Sequence, residues 1–250
     1  MKKTYLYISN SLNNKKFYLC YCLIIVGCLL AIITRESMFD SFFVNISDLL
    51  TSKLLNGFVV LSLGLNILNI ISDFKNNNIM IRLTYKDRII FFKKEILFSI
   101  CYFYIILLLL VLSFSLLFNT GVYSIISNYK YANLSVAFYD TYLIIFHFLR
   151  YLLFSYIIFL GVTIVKKVPI MMLLICLTIS HICDFFVDSV FQNLSIISKL
   201  FLEILNFTIS YECFAEEVFY FIMSIFFLII LAIILEKISK KGGNIYEISI

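Results

Sequence analysis

Apolar residues in this chain fall into long continuous runs rather than stripes or alternations. Six runs reach or approach the roughly 20 residues that an α-helix needs to cross a hydrocarbon core. They cover 17–34, 54–72, 96–118, 140–165, 169–191 and 217–236. The third is the most apolar, with Ile105-Ile106-Leu107-Leu108-Leu109-Leu110-Val111-Leu112 at its centre. Membrane barrel strands are shorter and alternate in polarity, so each run predicts a helix. Pro169 opens the fifth run, where proline does a helix least harm. The first run is followed by Thr34, Arg35 and Glu36, not by a small-residue cleavage site. It therefore reads as a retained helix rather than a signal peptide. The expected fold class is all-α: a polytopic membrane bundle of six transmembrane helices, one transmembrane domain over residues 1–250.

Two connecting segments carry their own pattern. The stretch 73–95 mixes apolar Ile79, Leu83, Ile90 and Phe91 with basic Arg82, Lys86 and Lys93. That mixture predicts a short amphipathic helix on the membrane surface, or else a solvated basic loop. The stretch 192–216 is apolar yet bears a thin polar line through Ser195, Lys199, Glu203 and Asn206. It predicts a helix lying in the outer interface or dipping into it, with a seventh span as the competing reading. The connections after the first and third runs, the former containing Asn45, read as outer segments.

Composition removes the other fold classes. Of 250 residues, 62% are hydrophobic and only 14% charged, with one Pro and seven Gly. A soluble domain of this size cannot bury so much apolar side chain, and a disordered chain would be far more polar. Seven cysteines are too few for a disulfide scaffold. The formal net charge of +5 is not a nucleic-acid signal, because of where the charges fall. Fifteen of the twenty Lys and Arg lie in the N-terminal segment, in 73–95, at Lys166 and Lys167, and in the tail. Basic residues concentrate on the cytoplasmic side of membrane proteins. Both termini are thus expected in the cytoplasm of a multi-pass cell-membrane protein.

Candidate chemistry is sparse. No nucleotide-binding, zinc-protease or serine-hydrolase motif occurs, so no catalytic residue, cofactor or metal is expected. Charges inside spans are costly and mark function by default. The fourth run holds His147 and Arg150, and the fifth holds His181, Asp184 and Asp188, each set on one helical face. Arg150 cannot shed its charge and needs a carboxylate; Asp184 is the expected partner, with Asp188 second. This intramembrane polar cluster reads as a lock between helices, a polar lining of a substrate path, or a proton relay through the histidines. A metal held by His147, His181 and Asp184 is disfavoured, because Arg150 would repel a cation. Glu216-Glu217 matches the start of the Glu-Glu-x-x-x-Arg motif of glutamic intramembrane proteases. Phe221 stands where the arginine belongs, and both histidines precede the glutamates, so an enzyme is not expected.

The layout of six spans, a basic N-terminus and a polar inner stretch between the second and third spans resembles the membrane (permease) subunits of bacterial type-2 ATP-binding-cassette exporters. Leu83-Thr84-Tyr85-Lys86-Asp87-Arg88, followed by Lys93-Lys94-Glu95, is similar to the stretch by which such permeases contact their ATPase. The resemblance implies a separate ATPase subunit docking on Arg82, Tyr85, Lys86, Asp87 and Arg88. It also implies a homo- or heterodimer of permeases in the lipid bilayer, and export of a peptide, lipid or drug-like substrate. A re-entrant element before the last span occurs in several members, and 192–216 would fill that role. The alternative from a different class is a non-catalytic membrane immunity or assembly protein that acts by binding.

Overall fold

The structure, a computed structural model, describes residues 15–33, 42–76, 85–117, 135–165, 167–182, 200, 202–204 and 213–241. Seven helices carry them: α1 Lys15–Ile33, α2 Phe42–Leu50, α3 Lys53–Asn76, α4 Tyr85–Leu117, α5 Val136–Ile164, α6 Lys167–Ile182 and α7 Phe214–Lys241. Residues 200 and 202–204 are helical as well. The protein is an all-α bundle with the composition of a membrane-embedded chain. Four of the six predicted spans are helices long and apolar enough to cross a membrane: Lys53–Ser72, Lys93–Leu117, Ala137–Ile164 and Phe214–Lys240. The other two predicted spans contain the shorter apolar helices Tyr18–Ile33 and Lys167–Ser180.

Side-chain pairs fix how the helices run. α1 and α3 are antiparallel: Ser62 Oγ donates to the Cys20 carbonyl at 3.1 Å, and Phe58 lies against Gly27 further along. α6 is antiparallel to α3, with Thr178 Oγ1 donating to the Gly57 carbonyl at 3.4 Å and Leu174 seated on Gly64. α4 is antiparallel to α5, joined by Tyr104 Oη to the Ile144 carbonyl at 2.6 Å and by Lys93 over the Tyr156 ring. α5 and α7 are parallel, since Tyr139 meets Glu217, Tyr156 meets Glu236 and Thr163 meets Ser239. The six long helices therefore alternate in direction, and α1 begins at the end of the bundle where α7 finishes.

α3 is the central helix. Leu55, Val59, Leu63 and Ile67 are sealed in the core, whereas Phe219, Ile222, Phe226 and Ile233 of α7 face outward. In water such an exterior would be a large sticky patch, and in hydrocarbon it is matched by its solvent.

Two elements differ from the sequence expectation. The segment with Asn45 is not a plain outer connection: it folds as α2 and inserts into the bundle against α4 and α5. Asn45 is 0% exposed and donates from Nδ2 to the Ser115 carbonyl at 3.3 Å. The chain then breaks at Thr51 and Ser52 and restarts as α3. Buried carbonyls and N–H groups at such a break need partners. Asn56 Nδ2 donates to the Leu50 carbonyl at 3.2 Å, and Ser52 Oγ accepts from the Leu55 N–H at 3.5 Å.

The second difference lies in 73–95. Its later part is no separate surface helix but the start of α4, which runs unbroken for 33 residues. Nothing between Tyr85 and Leu117 interrupts a helix: the stretch holds neither Gly nor Pro. At 1.5 Å per residue α4 is about 50 Å long, well beyond the hydrocarbon thickness of about 30 Å. Its basic first turns therefore extend past the apolar layer.

Candidate functional site

α5 carries the polar interior. Ser135 caps its start, with Oγ accepting from the Phe138 N–H at 3.4 Å, and the Val165 N–H closes its end on the Gly161 carbonyl. Arg150 is the midpoint of this helix, about 21 Å from either end. It is 3% exposed. A buried guanidinium needs a carboxylate and a fitted surround. The carboxylate comes from Glu203, whose Oε1 accepts from Arg150 Nη2, and Glu203 is itself only 5% exposed. The guanidinium carbon of Arg150 lies over the Phe221 ring of α7, 4.1 Å from its centroid.

The surroundings are aromatic. Phe146 and Tyr142 of α5 meet Phe221 edge-on at 4.6 and 5.8 Å, and Phe214 of α7 meets Tyr142 at 5.0 Å. His147, one turn before Arg150, is buried against Tyr151 and Phe221. Tyr151 Oη donates to Asn56 Oδ1 at 2.9 Å, so the α2–α3 break is tied to the same face of α5. Toward the start of α5, Tyr139 Oη donates to the Glu217 carboxylate at 3.0 and 3.3 Å. Both oxygens of buried Asp140, His147 Nδ1 and Tyr142 Oη have no hydrogen-bond partner among the described residues. Buried polar atoms in native proteins are met by water, ligand or a further polar group. α5 thus presents a column of polar groups, from Asp140 near one end to Arg150 at mid-depth.

The sequence-predicted sites fare unequally. His147 and Arg150 lie one turn apart on α5. Among the described residues Arg150 is met by a carboxylate that sequence reasoning did not choose, Glu203. Asp184 and Asp188 lie outside the described residues. His181 is placed by its backbone in the last turn of α6. α6 meets α3 at Thr178–Gly57 and α3 meets α5 at Asn56–Tyr151, so position 181 stands about one turn beyond the level of Arg150. Of the inner stretch, Arg82 lies outside the described residues, and Tyr85, Lys86, Asp87 and Arg88 form the first turn of α4. No group of three or more metal-ligating side chains occurs among the described residues. Phe221, read as the residue that breaks a protease motif, is the platform on which Arg150 rests. The positive charge absent from α7 arrives from α5.

A second polar contact ties the opposite end of the bundle. Lys93 Nζ pairs with Glu236 Oε2 at 3.1 Å, Tyr156 Oη donates to the same oxygen at 3.0 Å, and Lys240 approaches at 3.6 Å. This network is partly exposed and joins α4, α5 and α7. Its contribution to stability is small, about 0–1 kcal/mol for each pair.

The fold and the site define a class, a helical membrane-type bundle with a charged interior. Compared with protein-family models, curated proteins and solved structures, the chain matches none of them.

Proposed function

We propose that this chain is the permease subunit of an ATP-driven exporter in the cell membrane. In this reading it has six spans and both termini in the cytoplasm. Its cargo is a peptide, lipid or drug-like molecule. One observation carries the reading: the polar column of α5 runs through the interior of a bundle whose outer faces are apolar. A purely structural lock needs one ion pair. It does not need further buried groups whose polar atoms find no hydrogen-bond partner among the described residues, Asp140 Oδ1 and Oδ2 and His147 Nδ1 among them. The α2–α3 break beside the column supports the same reading, since interrupted helices are tolerated at membrane depth where they line a cavity.

Energy enters through the inner stretch. Arg82, Tyr85, Lys86, Asp87 and Arg88 dock a separate ATPase, and the unbroken α4 carries motion from that contact to the bundle. The test is affinity purification of the chain from its native membrane, with Arg82, Lys86 and Arg88 changed together to Glu. The wild-type chain retains an ATPase and the reversed chain loses it. Retention of the same partners after reversal overturns the docking and leaves a membrane protein that acts by binding.

A further inference from the structure

Unmatched polar atoms near the start of α5 narrow the cargo. We infer that Asp140 of α5, with Asn45 of α2 and Ser115 of α4, is the recognition point for an ammonium group carried on an apolar molecule. This deepens the transport reading by naming its substrate class, and it rests on that reading.

The three residues converge by depth and by face. Asp140 stands about 6 Å into α5. α4 is antiparallel to α5 and meets it at Tyr104 and Ile144. Ser115, about 16 Å further along α4, therefore comes level with the start of α5. Asn45 is held at that level by its bond to the Ser115 carbonyl. At its other end α2 finishes at Leu50, whose carbonyl accepts from Asn56, and Asn56 accepts from Tyr151. α2 thus packs along α5 from near its start toward Tyr151, a range that includes Asp140. Asp140 and Tyr151 are eleven residues apart and share one helical face. That is the face turned to α2 and its break.

The atoms left unmatched there are acceptors. Asp140 is 4% exposed, and neither carboxylate oxygen has a hydrogen-bond partner among the described residues. Buried Asn45 Oδ1 and Ser115 Oγ have none either. The Asn45 amide has one orientation, because the Ser115 carbonyl can only accept and must face Nδ2. Carboxylate and amide oxygens accept, and a serine hydroxyl can do so too. A buried carboxylate without a counter-charge is costly. Protonation alone would discharge it but leave Asn45 Oδ1 unmet. The complement of this set is a cation made only of donors, and an ammonium has three N–H donors and no acceptor. Charges on the packed elements favour the same sign. Asp48 follows Asn45 by one turn on α2, and Glu216 and Glu217 of α7 stand opposite Tyr139, against Lys53 at the start of α3. Arg150 lies about 15 Å further along α5, with Glu203. Buried neighbours on the same elements are apolar, Val44, Ile46 and Leu49 of α2 and Leu143 of α5, which suits an apolar body behind the ammonium. A peptide N-terminus and a lipophilic amine share this chemistry.

The experiment uses the full chain in nanodiscs at about pH 6, where a peptide N-terminus is charged, with empty nanodiscs subtracted. The probes are tetraleucine amide and its N-acetylated form, decylammonium and decanol, and sodium chloride. The proteins are wild type, Asp140→Asn and Asp140→Leu. Wild type should bind an ammonium probe about tenfold or more tighter than its neutral counterpart, since charge-assisted contacts are worth that much. Asp140→Asn should abolish the preference and leave the neutral probe unchanged. A preference for tetraleucine amide identifies a peptide cargo, and one for decylammonium alone identifies a lipophilic amine. No preference in wild type, a preference that survives in Asp140→Asn, equal loss of charged and neutral probes, or binding of sodium without either ammonium overturns the assignment. Should Asp140→Asn fail to fold, Asp140→Leu takes its place, because an apolar group of similar size removes the buried charge without stranding another. Charge reversal at Arg82, Lys86 and Arg88 leaves this binding untouched, so failure of the ATPase docking and failure of this site are separate results.

Discussion

At the residue scale, Arg150 shows what a sequence states and what it withholds. That a buried arginine in an apolar run needs a carboxylate follows from the residue alone. Which carboxylate does not, because the partner is 53 positions away and reaches α5 only when the bundle closes. The histidine one turn earlier was legible for the same local reason, while the Phe221 platform was not. Removing one member of such a pair leaves the other charge buried and alone, at a cost of about 3–5 kcal/mol, whereas removing both is far less harmful. Arg150→Leu should therefore lower the thermal midpoint of the chain in nanodiscs sharply. Arg150→Leu combined with Glu203→Leu should recover most of that loss. Equal loss in the single and double variants would show that Glu203 is not what compensates Arg150.

At the element scale, four of the six apolar runs are long apolar helices and the other two contain shorter ones, because continuous hydrophobicity is a local signal and a helix satisfies its own backbone. α2 is not legible in the sequence, for the opposite reason. Phe42–Leu50 is nine residues, too short to read as a span, and carries Asn45, Ser47 and Asp48, which suggest a solvated connection. Its burial depends on partners from elsewhere, such as the Ser115 carbonyl and the Asn56 amide. The same holds for close helix approach. A Cβ at Gly64 would overlap the Leu174 side chain, which is sealed between α3 and α6. Gly64→Ala should thus strain this contact and destabilise by about 1–3 kcal/mol, the usual cost of overpacking. Leu174→Ala added to it should restore part of the loss, although alone it costs about 2–5 kcal/mol by opening a cavity. A double variant less stable than the sum of the two singles, in thermal unfolding, would mean that the two positions do not share one space.

At the scale of the whole molecule, charge and direction agree. The helices alternate, so Cys213 at the start of α7 and Lys240 near its end stand on opposite ends of a 28-residue helix. That helix is about 42 Å long, more than a hydrocarbon layer. The basic residues gather at the Lys240 end: Lys93 and Lys94 on α4, Lys167 on α6, and Lys237 and Lys241 on α7. Positive charge marks the cytoplasmic face, so Cys213 should face outward and Lys240 inward. A thiol reagent that cannot cross membranes tests this directly, in a chain carrying Cys183→Ser. Cys20, Cys22, Cys28, Cys101 and Cys176 lie within apolar helices, where a charged reagent that cannot enter hydrocarbon does not reach them. Exposed Cys213 should then be labelled on intact cells, and the labelling should vanish in Cys213→Ser. A cysteine at Lys240 should react only in inside-out vesicles. A cysteine at buried Asn45 should react from neither side until the chain is denatured, although the sequence alone places it outside. Labelling of position 240 on intact cells would reverse the orientation. It would also move the Arg82–Arg88 stretch to the face where no ATPase can reach it.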